Sequence, residues 1–148
     1  MIILSVDYGR VRTGIAVCDK NEIIASPVAV IKETEPDILA EKISLIAKER
    51  KAEMIVLGLP KNMDGTEGES ALNVRAFSEI LREKSGLCVE LHDERGTTMT
   101  AHKYLNITDT RGKKRKAVVD SVAAVIILED YMNFRSNKIS SKNIDISG

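Results

Sequence analysis

Residues 2–18 read IILSVDYGRVRTGIAVC, and their pattern decides the fold. Ile2 to Val6 is a short apolar run that ends on Asp7, and Thr13 to Cys18 is a second run that is short, apolar and β-rich. Two strands are implied. Asp19 to Glu22 is then a polar turn, and Ile23 to Ile31 suits a third strand, giving an antiparallel meander through short connections.

Beyond the meander the period changes. Pro36 marks a helix start, and Leu39, Ile43, Ile46 and Ala47 fall on one face of a helix over Asp37–Lys51. Met54 to Leu57 is a fourth strand, closed by Gly58-Leu59-Pro60 and followed by a polar loop, Lys61 to Gly68. Ala71, Val74, Phe77 and Leu81 line a second helix, with Gly86 where a C-terminal glycine belongs. Leu87 to Leu91 makes a fifth strand running into His92-Asp93-Glu94. Thr97 or Thr98 can cap a short helix through Leu105, and Lys114 to Met132 is long enough for a final helix. Its stretch Val122 to Leu128 has no polar break, so it must be buried on most sides. The order β-β-β-α-β-α-β-α-α implies an α/β domain over residues 1–135. Its sheet is mixed and five-stranded with helices on both faces, because the later units need right-handed crossovers. Strands one, four and five are expected to be parallel. The polar tail, 136–148, is expected to fray.

With 43% hydrophobic and 30% charged residues in 148, the chain has the composition of one globular domain, which excludes disordered and fibrous classes. Val122 to Leu128 is the longest apolar run, far short of the roughly twenty residues needed to cross a bilayer, and the first ten residues lack the charged region of a signal peptide. A cytoplasmic protein with no membrane partner is expected. Cys18 and Cys88 have no second Cys or His at ligand spacing, so buried thiols are expected rather than a disulfide or a zinc site. The net charge is zero, but five of the 22 basic residues crowd into Arg111-Gly-Lys113-Lys114-Arg115-Lys116. One end of one element is therefore strongly positive, as phosphate binding requires.

Asp7 ends the first strand, Glu94 follows the fifth, and Asp120 interrupts an apolar helix. In open α/β sheets ligands collect beyond the carboxyl ends of parallel strands. Carboxylates gathered there repel one another, by about 4 kcal/mol at 4 Å and an effective dielectric of 20, so such a cluster calls for a cation. All-oxygen ligands with open positions suit Mg²⁺ or Mn²⁺. Each acid also fits a plainer role: Asp7 can open a turn, Glu94 can pair with Arg95, and Asp120 can cap a helix. Gly9 and Gly14 let backbone approach a ligand closely, with Arg12 able to reach a phosphate, and Lys61 sits in a loop whose amides suit the same task. Tyr8 is placed to stack on a base or to pack in the core. His92 and His102 read as structural or surface residues.

Four motifs in order, Asp7-x-Gly9-x-x-Arg12-x-Gly14-x-Ala16, Gly58-Leu59-Pro60-x-Asn62-x-Asp64-Gly65-Thr66, Asp93-Glu94-Arg95-x-Thr97-Thr98 and Val119-Asp120-Ser121-Val122-Ala123-Ala124, closely resemble the YqgF/RuvX family. Gly96 departs from the pattern, where a larger apolar residue is expected. The resemblance implies the RNase H-like fold and a nuclease acting on the 5′ end of precursor 16S rRNA, with Holliday junction DNA as the alternative substrate and a non-catalytic nucleic-acid-binding module as the alternative role. It implies Asp7, Glu94 and Asp120 as the catalytic acids and metal ligands. Arg12, Lys61, Arg95, Lys113, Lys114, Arg115 and Lys116 are then the candidates for nucleic-acid contacts. Structured RNA, in ribosomal precursor particles, is the expected partner. Monomer and homodimer both remain open, since only paired cuts in a junction demand a dimer.

Overall fold

A computed structural model describes residues 1–62, 64–93 and 122–137. The described elements run β1 (Ile3–Asp7), β2 (Arg12–Cys18), β3 (Ala25–Lys32), α1 (Pro36–Glu49), β4 (Met54–Leu59), α2 (Glu69–Ser85) and β5 (Cys88–Asp93), followed by a helix, α3, over residues 122–137. One sheet holds all five strands in the order β3-β2-β1-β4-β5. The β1–β2 and β2–β3 pairs are antiparallel, whereas β1–β4 and β4–β5 are parallel. The mixed sheet expected from the sequence is therefore present, with strands one, four and five sharing a direction.

Strand alternation sorts the core into two layers. Leu4, Val6, Ile15, Ile55, Leu57 and Val89 face α1 and α2, which contribute Leu39, Ile43, Ala47, Val74, Phe77 and Leu81. Ile3, Ala16, Cys18, Met54 and Val56 face the other way, against Ala124, Ile127, Leu128 and Tyr131 of α3. Helices thus cover both faces. α3 runs through residue 137, two beyond the expected domain border, and its upstream part, like the helix over Thr97–Leu105 and the remaining tail, lies outside the described residues. Among the described residues no helix is long and apolar enough to cross a membrane.

Several boundaries differ from the sequence reading by one or two residues. β3 begins at Ala25 instead of Ile23, because the Asp19 carboxylate accepts the backbone N–H groups of Asn21, Ile23 and Ile24 at 3.3, 2.6 and 2.8 Å and so claims them for a turn. Those hydrogen bonds hold the Asp19 carboxyl below its ordinary pKa. β4 continues through Leu59, since Gly58 and Leu59 pair with His92 and Asp93 where Gly-Leu-Pro had read as a turn. α1 ends at Glu49, and Lys51 takes the left-handed conformation at φ 59°. Only one cysteine is buried. Cys18 accepts the Ile3 N–H at 3.2 Å and burial pushes its thiol pKa up, whereas Cys88 opens the edge strand β5 and is exposed.

Candidate nuclease site at the C-terminal edge of the sheet

β1, β4 and β5 all end at the same edge, and Asp7 is the last residue of β1. It is half-buried, and by alternation it shares the face of Ile3 and Ser5, the face that α3 covers. On β5 the same face carries Glu90 and His92, since Val89 and Leu91 pack into the opposite layer. The register sets Val6 beside Leu57 and Leu57 beside Leu91, so Asp7 and His92 stand at one level with Gly58 between them. Gly58 puts no side chain on that face.

Polar contacts bind α3 to this surface. The buried Ser5 hydroxyl donates to the Ala124 carbonyl at 2.7 Å, and Tyr131 donates to the Glu90 carboxylate. His92 Nε2 lies 2.6 Å from Asp130 Oδ2, and Arg135 donates to Glu22 at 2.8 Å beyond the beginning of the strands. Burial, with help from the Glu90 carboxylate, pushes the Tyr131 pKa up to about 12, so the phenol keeps its proton and remains a donor. The Arg135 guanidinium holds the Glu22 carboxyl below its usual pKa. Ala124 therefore sits at mid-strand and Arg135 near the strand starts. Asp130 and Phe134 also reach His92 on β5, at the level of Asp7, so α3 lies across the sheet.

The turn after Asp7 is built for close approach. Gly9 exchanges hydrogen bonds with the buried Thr13, its N–H donating to Thr13 Oγ1 at 3.3 Å and its carbonyl accepting at 3.4 Å. A Cβ on Gly9 would meet the Arg12 carbonyl oxygen at 2.1 Å, so no other residue fits without moving backbone. Arg12 opens β2 from this turn. Tyr8 stacks on Phe77 with ring centroids 4.4 Å apart and planes 16° from parallel. That ring face packs in the core, the second of the two roles the sequence left open for Tyr8.

The loop after β4 also differs from its expected phosphate-cradling form. Its Asn62, Gly65 and Thr66 N–H groups donate to the Thr66 carbonyl, the Asn62 carbonyl and the Asp64 carboxylate, at 2.8, 2.8 and 2.9 Å. With Gly65 at φ 89°, the loop closes on itself and those amides are spent internally. Lys61 remains at its start, close enough to Glu67 to help Arg75 hold that carboxyl below its usual pKa. His92 proves to be more than an isolated surface residue. With Tyr131 and Phe134 it makes an aromatic group, at centroid distances of 5.5 and 5.9 Å, that joins β5 to α3. Its position on the face opposite Val89 and Leu91 was the one sequence signal for this role. Among the described residues no three His, Cys, Asp or Glu side chains group as metal ligands. Of the expected acids only Asp7 is described; Glu94, Asp120, Arg95, His102 and Lys113 to Lys116 lie outside the described residues.

A three-layer domain with this mixed sheet order and an acid at the end of its central strand has the RNase H-like fold of the RuvC-type resolvases. The chain superposes on Thermus thermophilus RuvC in complex with a Holliday junction substrate at a TM-score of 0.59, with 12% identity, covering 93% of this chain and 96% of that one. Fowlpox virus Holliday junction resolvase gives 0.53 at 14% identity, covering 90% and 98%. Residues 1–134 match the family model described as RuvX: Holliday junction resolvase, and the chain belongs to that family. Relatives from Agathobacter rectalis (38% identity, 95% of this chain and all of the relative) and Endomicrobium trichonymphae (42%, 92% and 98%) are each named "Putative pre-16S rRNA nuclease".

Proposed function

We propose that the chain is a divalent-metal-dependent nuclease that processes the 5′ end of precursor 16S rRNA in the cytoplasm, with Asp7, Glu94 and Asp120 as its catalytic acids. The observation that carries this reading is that β1 and β5, the parallel neighbours of β4, end at the same edge of the sheet. β1 ends on Asp7, β5 leads through Asp93 into Glu94, and Asp120 precedes the described start of α3 by two residues. With neighbouring strands about 4.8 Å apart, β1 and β5 are separated by roughly 10 Å.

Such a donor set is all oxygen and anionic, and it fits a hard cation of the Mg²⁺ or Mn²⁺ kind. When bound, the metal supplies a water of lowered pKa and neutralises charge on the scissile phosphate. The chain's other groups orient the substrate. Arg12, beside the Gly9 turn, and Lys61 and Arg95 hold flanking phosphates, and Lys113, Lys114, Arg115 and Lys116 draw in more distant backbone.

The names of the relatives favour RNA; the resolvase fold and the family description favour branched DNA as the second reading. Cleavage of precursor 16S rRNA, matched single-stranded RNA and DNA, and a four-way junction, with Asp7→Asn as the control for contaminants, decides between them. Metal-dependent cuts near the 5′ end of the rRNA support the proposal. Paired incisions in the junction without RNA cleavage would replace it with the resolvase reading, and no cleavage of any substrate would leave a binding module.

A further inference from the structure

Beside Asp7, but over the edge of the sheet on the α2 side, lies a cavity of about 480 Å³ lined by Tyr8, Arg10, Pro60, Glu69, Ser70 and Asn73 among others. A second hollow of about 560 Å³ shares Tyr8, Arg10 and Asn73 and extends the groove toward Thr34. We infer that this groove receives one unpaired nucleobase of the strand whose backbone passes the acids. The inference rests on the nucleic-acid reading above and adds the determinant by which that site distinguishes single strands from duplex.

The lining suits a neutral base better than a phosphate. Arg10 and Glu69 cancel in charge, and a carboxylate facing a phosphate would repel it. Tyr8 and Pro60 make an apolar wall, and the stack of Tyr8 on Phe77 holds that wall rigid. Opposite stand groups that read a base edge: the Asn73 amide, with its donor and acceptor side by side, the Ser70 hydroxyl, and the Glu69 carboxylate as acceptor for an exocyclic amino group. Ser70 and Asn73 project from α2 at helical spacing with Phe77, so the element that supports Tyr8 from below also supplies the polar edge. A base with a desolvated face and a hydrogen-bonded edge is the form in which unpaired RNA is read. A base inside a duplex cannot present both. Tyr8 follows Asp7 directly, so a strand with a phosphate at the acids needs only to bend over the sheet edge to place a neighbouring base here.

The test is an equilibrium-binding scan of the full chain in chelator, so that it does not depend on cleavage. A labelled single-stranded RNA carries one abasic site, moved through successive positions. At one position, loss of the base is expected to weaken binding about five- to tenfold. Asn73→Ala should weaken binding of the intact strand by a similar factor, leave the strand abasic at that position unaffected, and leave a blunt duplex unaffected. Asn73 is exposed on a helix and alanine is a good helix former, so the variant keeps its fold, which circular dichroism verifies. A flat scan, or an Asn73→Ala loss equal for intact and abasic strands, would overturn the inference. Failure of the nuclease reading would appear separately, as absent cleavage with this coupling intact.

Discussion

Gly9→Ala adds a single carbon, yet it should be among the most damaging small changes in the protein. The new Cβ would lie 2.1 Å from the Arg12 carbonyl oxygen, a backbone atom that moves only if the turn opens. Forcing one extra carbon into a closed site costs about 1–3 kcal/mol. Opening the turn also loosens the two Gly9–Thr13 hydrogen bonds, which at 3.3 and 3.4 Å are long and worth roughly 0.5 kcal/mol each. The sum is about 2–4 kcal/mol, which for a chain of this size lowers Tm by about 5–15 °C and leaves the protein folded at room temperature. Because the turn sits between Asp7 and Arg12, cleavage at room temperature should fall further than the folded fraction does. Gly68→Ser is the matched control. A Cβ there meets nothing within 4 Å, and the residue caps α2 without a side-chain hydrogen bond, so serine should gain a few tenths of a kcal/mol. Thermal unfolding followed by circular dichroism, with cleavage measured on the same samples, reads both effects. A Gly9→Ala protein that melts within about 2 °C of wild type and cleaves normally would refute this reasoning.

His92→Ala should raise the Mg²⁺ concentration needed for half-maximal cleavage by roughly tenfold while leaving RNA affinity in chelator unchanged, because His92 ties the strand leading to Glu94 to α3; an unchanged metal requirement would count against that role. Arg135→Gln should lower Tm at neutral pH by about 2–4 °C, the effect of a pair worth about 1 kcal/mol. Glu22 has a folded pKa below its ordinary 4.5, so its contribution is complete above that value and is lost as pH falls through the lower one. The two melting curves should therefore converge in strong acid, and a difference that persists there would point to packing instead. Neutralising Lys113, Lys114, Arg115 and Lys116 together should flatten the salt dependence of binding, by about 0.9 in log–log slope per lost duplex contact or 0.7 for single strands. An unchanged slope would remove that cluster from the interface.

Much of the fold was legible because most elements announce themselves locally. The 3.6-residue spacing of Leu39, Ile43 and Ala47, the left-handed glycine at 86 and the short apolar runs each reflect one dominant force, burial or backbone sterics. Misreadings arose where a side chain or a distant strand took over the backbone. Asp19 drew the amides of Ile23 and Ile24 into a turn, and pairing with His92 and Asp93 carried β4 through Gly58 and Leu59. The partners of Tyr8 and His92 follow from neither composition nor spacing. Tyr8 finds Phe77 across the sheet edge, and His92 finds Asp130 in a helix 38 residues away, contacts that only the assembled layers create. The acids were legible as a motif, whereas the common edge at which β1, β4 and β5 end depends on register, which a motif does not encode.

The most direct measurement is the rate of precursor 16S rRNA cleavage by wild type and Asp7→Asn across a Mg²⁺ titration, with Tm recorded for both. Asp7→Asn is nearly isosteric at a strand end, so the variant should melt close to wild type. Wild type should cut near the 5′ end of the rRNA only when the metal is present, and Asp7→Asn should show no turnover at any Mg²⁺ concentration. Turnover by Asp7→Asn at the wild-type rate, or wild-type cleavage that persists in chelator, would contradict a metal-dependent site built on Asp7.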